Sequence, residues 1–461
     1  MSKSKDILLG KLRNGEEMKV REQVSLTFRL AVPAIIAQLA MCLMSYIDAA
    51  MVGKLGSAQA AAVGLVSSTT WIFGSFCYGN ASGFSVQIAH RCGAKDFEGA
   101  KEVLHKGLTG TFLASLLLCI TGLVISPYLP CWLGGGEEII SDASAYFFIY
   151  AASLPLFQLA VFSEAVLIAS GNLKIPSIAS LAMCVLDVGF NALFIFQLGM
   201  GVKGAALGTA LATACAGIFL LIYIFRKSPE LKHRLSEYSP SGKERSHGIF
   251  GTALKISSPL WLQNVVVRGA YIMATVLIAP LGVVAIAANS FAIIAEGFCY
   301  LPGFGMQDAA TTLVGQSLGA GRRKLARSFA FITIGSGAAM MGILAVLMWI
   351  FAPQIMGILS DDPAVIAAGA SCLRIEAWAE VFFGISIVAY GCCVGAGDTL
   401  VPSAINIVCM WVIRIGLALL LIPRMGLNGY WIAMATDLTA KGLIFAVRIY
   451  GSGWMKKLNA A

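Results

Sequence analysis

Asp48 is the one charged residue in the apolar run from Leu30 to Val52. An ionisable side chain at membrane depth costs several kcal/mol and marks a functional candidate. A carboxylate there can exchange a proton or offer oxygen ligands to a hard cation such as Na⁺. The alternative is a helix that ends early and leaves Asp48 in interfacial water near Lys54. Asp187 and Asn191 lie four apart in a later apolar run. That spacing puts them on one helix face, one turn from each other. A carboxylate beside an amide oxygen can bind a hard cation, and the amide can steady the protonated acid. The plainer alternative is an Asn–Asp hydrogen bond that only satisfies two buried polar groups.

The second half of the chain carries different charges. Glu296 is its deepest acid, with Ile293 and Ile294 before it and Phe298 after. Glu376 and Glu380 follow in a later run, and Arg268 and Arg414 lie in two others. Glu296 and Glu380 are candidates for a second proton or substrate carboxylate; a Glu–Arg pair that steadies the fold is the alternative. Glu164 and Asp437, nearer run ends, read as structural. Gln38, Tyr46, Asn80, Gln263, Asn264, Asn289 and Tyr300 are polar or aromatic residues that could line a cavity, and aromatic faces suit a cationic amphiphile. Pro33 and Pro259 each remove an internal hydrogen bond and allow their helices to bend.

The elements that position these residues are membrane spans. Of 461 residues, 58% are hydrophobic and 12% charged, and mean hydropathy is +0.81. A soluble domain could not hide that much apolar surface, so an ordinary cytosolic enzyme is excluded, as is disorder. Apolar runs of about 20 residues read as membrane helices, not as strands of a barrel. Twelve such runs are expected, near 26–52, 58–88, 104–127, 142–168, 174–198, 204–225, 252–279, 284–314, 328–352, 365–394, 402–423 and 428–448. The first is too long for a cleavable leader and follows a basic flank.

Net charge is +9. Positive residues collect in alternate loops: Arg91, Lys95, Lys101 and Lys106; Arg226, Lys227, Lys232, Arg234, Lys243 and Arg245; Arg322, Arg323, Lys324 and Arg327; and Lys456 and Lys457 in the tail. The other loops hold acids such as Glu137, Glu138, Asp142, Asp361 and Asp362. The excess therefore reads as orientation in the plasma (inner) membrane, with both termini cytoplasmic, and not as nucleic-acid binding. The twelve Cys show no metal-ligand spacing and read as small buried hydrophobes. No cofactor, no metal and no nucleic acid is expected, and the chain reads as a monomer in the lipid bilayer.

The two halves repeat. At one offset Pro33 falls on Pro259, Leu55-Gly56 on Leu281-Gly282, Ala61-Ala62 on Ala287-Ala288 and Gly79 on Gly305. Gly93-Ala94 falls on Gly319-Ala320, Pro127 on Pro353, Gly171 on Gly397 and Pro176 on Pro402. An ordered series at one offset means tandem units. The fold expected is an all-α polytopic membrane protein: twelve transmembrane helices in two six-helix bundles around a central cavity. The lobes are 1–225 and 249–461, with a polar cytoplasmic linker at 226–248 that holds Pro229, Pro240 and Gly242. Such parallel repeats are one plan of secondary transporters.

Four motifs carry a family resemblance that spans nearly the whole chain, 26 to 448. Val314-Gly315-Gln316-Ser317-Leu318-Gly319-Ala320-Gly321 resembles the "VGQ-x-LGAG" signature of the multidrug and toxic compound extrusion (MATE) transporters. Gly395-Ala396-Gly397-Asp398-Thr399 with Pro402 resembles the family's "GAGDT…P". Asp48 to Gly53 resembles its "D-x-x-x-x-G", and Gly199 to Ala206 its "GMGVxGAA". The resemblance implies efflux of cationic or amphiphilic compounds in exchange for Na⁺ or H⁺, with Asp48 as a cation-site residue. One well-known family pattern has Asn then Asp four apart where this chain has Asp187 then Asn191. The chemistry is kept while the carboxylate moves by one turn.

The reading is an alternating-access antiporter, not an enzyme, with Asp48, Asp187 and Asn191 binding the coupling ion, H⁺ or Na⁺. Two rivals differ in class. A lipid-linked sugar flippase on the same plan would carry more cationic residues in its cavity for a pyrophosphate. An intramembrane aspartyl protease would use the G-x-G-D at Gly395 to Asp398, yet Tyr46 and Asp48 are separated by Ile47 and no Y-D pair results.

Overall fold

The computed structural model describes residues 2–232 and 243–455. Arg234, Pro240, Gly242, Lys456 and Lys457 lie outside the described residues, as does the stretch 233–242 of the expected linker. Among the described residues the chain is helical, with short turns and no strand. In order the helices are α1 (Ser2–Asn14), α2 (Val20–Gly53), α3 (Ser57–Gly93), α4 (Phe97–Ile125), α5 (Leu129–Trp132) and α6 (Glu137–Ala169). Then come α7 (Lys174–Asn191), α8 (Gly201–Lys227), α9 (Lys243–Ile278), α10 (Val283–Gly319) and α11 (Arg323–Leu359). The last are α12 (Pro363–Ala377), α13 (Glu380–Gly395), α14 (Leu400–Val408), α15 (Gly416–Met425) and α16 (Leu427–Tyr450). A π-helical segment, Ala192–Gln197, extends α7, and a second, Cys409–Ile415, joins α14 to α15.

Ten helical stretches are long and apolar enough to cross a membrane. α12 and α13 make an eleventh, bent by 57° between them. α16, at 24 residues, has spanning length, but Asp437, Lys441 and Arg448 dilute its apolarity. These follow the expected spans in order, with one difference: the run at 365–394 is not one straight helix. Asp362 starts it by accepting from the Ala364 amide at 2.8 Å, with Pro363 at the first helical position, and it breaks around Trp378.

A second difference lies at the N-terminus, where α1 occupies what sequence marks only as a basic flank. Leu8, Leu9 and Leu12 are buried on one face of it. The end of a helix leaves carbonyls without intrahelical donors. Here the Arg322 guanidinium supplies them, donating to the Lys11 carbonyl at 3.2 Å, Leu12 at 3.1 Å and Glu16 at 2.7 Å. Arg13 Nε also donates to Gln316 Oε1 at 3.1 Å.

The helices form two compact units. One takes the chain up to Gln38 and from Leu262 onward; the other runs from Leu39 to Trp261. α2 and α9 are therefore each shared between the units, and the divisions fall shortly after Pro33 and Pro259. In the Leu39–Trp261 unit, α6 is central, packed on α3, α4 and α8. Phe84, Ile88, Leu104 and Phe162 fill its core, with Ile249 from the start of α9. In the other unit α10 and α13 pack together and on α11, around Ala292, Met348, Leu373 and Trp431.

The repeat explains a pair of close approaches. A Cβ on Gly79 would lie 2.5 Å from Trp261 Cδ1 in one unit. A Cβ on Gly305 would lie 2.5 Å from the Ile35 amide nitrogen in the other. Gly79 matches Gly305 in the repeat, and Ile35 matches Trp261 at the same offset. The repeated glycines are thus sites where α3 meets α9 and α10 meets α2 with no room for a side chain.

Candidate cation sites

The first site is built within the Leu39–Trp261 unit. α2 runs on to Gly53, so Asp48 lies inside the helix and not beyond its end. α7 carries Asp187 and Asn191 on one face, as their spacing requires. Asn191 Nδ2 donates to Asp48 Oδ1 at 2.9 Å and to Asp187 Oδ2 at 3.1 Å. One amide group therefore joins two carboxylates from two helices. Asp187 is 0% exposed, Asn191 is 1% exposed, and Asp48 is half-buried.

Two oxygens of this group, Asp187 Oδ1 and Asn191 Oδ1, are buried without a hydrogen-bond partner. A buried polar atom left so costs about 1–3 kcal/mol. Every atom the group can offer to an ion is an oxygen, which suits a hard cation. A proton on either carboxyl would equally remove the repulsion between two acids that share one donor. The site depends on α8 as well. A Cβ on Gly208 would collide with Asn191 Oδ1 and lie 3.0 Å from the Asn191 backbone nitrogen. Glycine there lets α8 approach closely enough to seat the Asn191 side chain.

The second site lies in the other unit. Glu296 of α10, Glu376 of α12 and Glu380 of α13 each bring a carboxylate oxygen within 4.8 Å of the others. All three are buried, Glu376 and Glu380 to 0% exposure. Neither oxygen of Glu376 has a hydrogen-bond partner. Glu380 lies beside the Cys299 thiol, which donates to the Met341 carbonyl at 3.7 Å. Glu376 and Glu380 stand on either side of the 57° break between α12 and α13.

Among the described residues no arginine forms an ion pair with Glu296, because Arg414 is committed elsewhere. Its Nε and a terminal nitrogen both reach Asp437 Oδ2 at 2.9 Å, and Lys441 Nζ reaches the same oxygen at 2.8 Å. Asp437 is the fully buried hub of this ion network, and it lies in the middle of α16, not near an end as its sequence position suggested.

The remaining candidates divide. Asn80 Nδ2 donates to Gln158 Oε1 at 3.3 Å, and Gln158 in turn donates to the Cys77 carbonyl. Asn289 Oδ1 accepts from Trp431 Nε1 at 3.1 Å, and Gln263 Oε1 accepts from Asn406 at 3.3 Å. Tyr300 lays its ring edge-on against Phe304 and Phe383. Gln38, Tyr46 and Asn264 are half-buried. Pro33 and Pro259 lie inside unbroken helices. Sequence names Glu376 without assigning it a role, although it stands four residues from Glu380, and it gives no signal at Gly208.

Asp398 does not stand free as a protease aspartate would. It is buried and ion-paired with Arg448 of α16.

The MatE family model matches residues 33–193 and again 259–420, the same halves that the internal repeat defines. The chain is 30% identical to the probable multidrug resistance protein NorM of Pseudomonas aeruginosa, over 90% of this chain and 86% of the relative. Its fold is similar to that of a MOP superfamily transporter from Pyrococcus furiosus (TM-score 0.87, 22% identity, 97% of this chain and 98% of that one). It is similar also to a mutant of the Vibrio cholerae MATE transporter VcmN (TM-score 0.89, 18% identity, 95% and 99%). With both halves matched and the helices in the same arrangement, this multi-pass membrane protein belongs to the MATE family of transporters.

Proposed function

We propose that the protein is a cation-coupled antiporter that exports cationic or amphiphilic small molecules by alternating access. The observation that carries the reading is the Asn191 amide bridging Asp48 and Asp187, with buried oxygens of Asp187 and Asn191 unpartnered beside it. The P. aeruginosa relative, described as a probable multidrug resistance protein, supports the substrate class. Asp48, Asp187 and Asn191 bind the coupling ion, H⁺ or Na⁺, and its binding favours one conformation over the other. Glu296 and Glu380, with Glu376, form a second acidic site for a proton, a cation or the substrate's positive charge. The protein works as a monomer in the plasma membrane with both termini in the cytoplasm, and uses no further cofactor.

The lipid-linked sugar reading is weaker, because the buried cations Arg414 and Lys441 are both engaged by Asp437 Oδ2. The test is drug resistance in a pump-deficient host. Asp48→Asn keeps the size of the side chain and removes its charge. It is expected to abolish resistance while membrane expression stays intact; full resistance would refute the assignment.

A further inference from the structure

A groove of about 840 Å³ lies between α11 and α12, lined by Trp349, Pro353, Ile366, Arg374 and Trp378 among others. Trp349 is 26 residues beyond the start of α11, about 39 Å along a helix that rises about 1.5 Å per residue, so the groove is far from the end where Arg322 holds α1. The flanking surface is apolar and open, with Ile350 and Phe351 half exposed on α11. Trp378 is 76% exposed and Trp349 45%.

One charge stands in this apolar setting. The Arg374 guanidinium lies 5.7 Å from the centre of the Trp349 ring, and its Nε donates to the Trp349 carbonyl at 3.4 Å. Among the described residues no carboxylate pairs with it. A lone cation on a lipid-facing surface is costly unless an anion reaches it. Its terminal nitrogens suit the paired oxygens of a phosphodiester, the geometry guanidinium binds best. Exposed tryptophans sit at the level where headgroup meets acyl chain. The cation also argues against a positively charged occupant.

We infer that this groove is a binding site for an anionic phospholipid, with its phosphodiester on Arg374 and its upper acyl chain between Trp349 and Trp378. The site has a structural consequence. Trp378 stands in the 57° break between α12 and α13, and Glu376 and Glu380, on either side of it, are buried with Glu296. A lipid seated against Trp378 braces the break beside which the three acids meet. The binding claim itself does not rest on the transport reading.

The test is native mass spectrometry of the full chain in detergent, with phosphatidylglycerol and phosphatidylethanolamine of identical acyl chains. The wild type is expected to retain phosphatidylglycerol preferentially. Arg374→Gln should lower its occupancy about tenfold, the effect of losing a charge-assisted bond, and Arg374→Lys should restore it in part. Thermal melting identifies any variant that fails to fold. Equal retention of the two lipids by the wild type, or undiminished phosphatidylglycerol on a folded Arg374→Gln, would overturn the inference. Displacement of the lipid by glycerol 3-phosphate would indicate a soluble-anion site, and displacement by a fluorescent cation would indicate a substrate groove; either overturns it as well.

Discussion

Asn191 donates to Asp48 across two helices at 2.9 Å while it also donates to Asp187, one turn back on its own helix. An amide has two N–H bonds on one nitrogen, and here both are used on acids. That leaves the amide oxygen, the half of the side chain able to face a cation, buried and without a partner. The arrangement holds two carboxylates close together whether or not both are ionised. That is what a site needs if it is to take up and release a positive charge.

Asn191 is accordingly expected to set affinity for the coupling ion. Asn191→Ala removes the shared donor and an oxygen ligand. A hydrogen bond to a charged group is worth about 1.5–3 kcal/mol, so the ion concentration for half-maximal transport should rise at least tenfold. Titration of efflux rate against Na⁺ or pH in vesicles measures it. An unchanged midpoint would mean that Asn191 only fills space.

Gly208 has no chemistry of its own, yet Gly208→Ala should damage the same site. The new methyl group meets Asn191 Oδ1. Overpacking of this kind costs about 1–3 kcal/mol. Ion-driven efflux should fall together with thermal stability, while Gly189→Ala, on α7 with open space around it, should change neither. Normal transport by Gly208→Ala would show that α8 does not seat Asn191.

Asp437 should behave in the opposite way, as a structural residue. Asp437→Asn weakens the only acid that holds both Arg414 and Lys441 in the described residues. Breaking a buried ion network by removing one partner costs about 3–5 kcal/mol. Loss of folded protein in fluorescence-detected size exclusion is the expected result. A well-folded variant with selectively altered ion coupling would move Asp437 into the functional site.

Arg322→Ala should free α1 without touching either acidic site. The helix loses the donors to the Lys11, Leu12 and Glu16 carbonyls. Amide hydrogen exchange over residues 2–14 should rise well above that of α10. Unchanged protection would mean that Leu8, Leu9 and Leu12 hold the helix by themselves.

Much of this was legible in the sequence because the bilayer leaves few options for the backbone. The apolar runs mark the spans, and the Gly and Pro landmarks mark the duplication. Scarcity of charge isolates Asp48 and Asp187. The four-residue spacing predicts the Asp187–Asn191 contact, but only tertiary packing brings Asp48 to the same amide. Periodicity has no signal for the break at Trp378, since the apolar pattern continues through it, so the meeting of Glu376 with Glu296 is visible only in three dimensions. α1 is hidden for a different reason: with Lys and Arg along it, it looks like a flank until Leu8, Leu9 and Leu12 find a surface. The bonds of Asn80 to Gln158 and of Asn289 to Trp431 join residues far apart in the chain, and sequence has no signal for them.

The central claim is that a cation bound by Asp48, Asp187 and Asn191 drives export. The direct measurement is efflux of a fluorescent organic cation from vesicles under a Na⁺ gradient alone and then under a pH gradient alone, with wild type and Asp48→Asn side by side. The wild type should respond to at least one gradient, and Asp48→Asn, equally well inserted, to neither. Wild-type efflux that ignores both gradients, or full gradient-driven efflux by Asp48→Asn, would contradict the account.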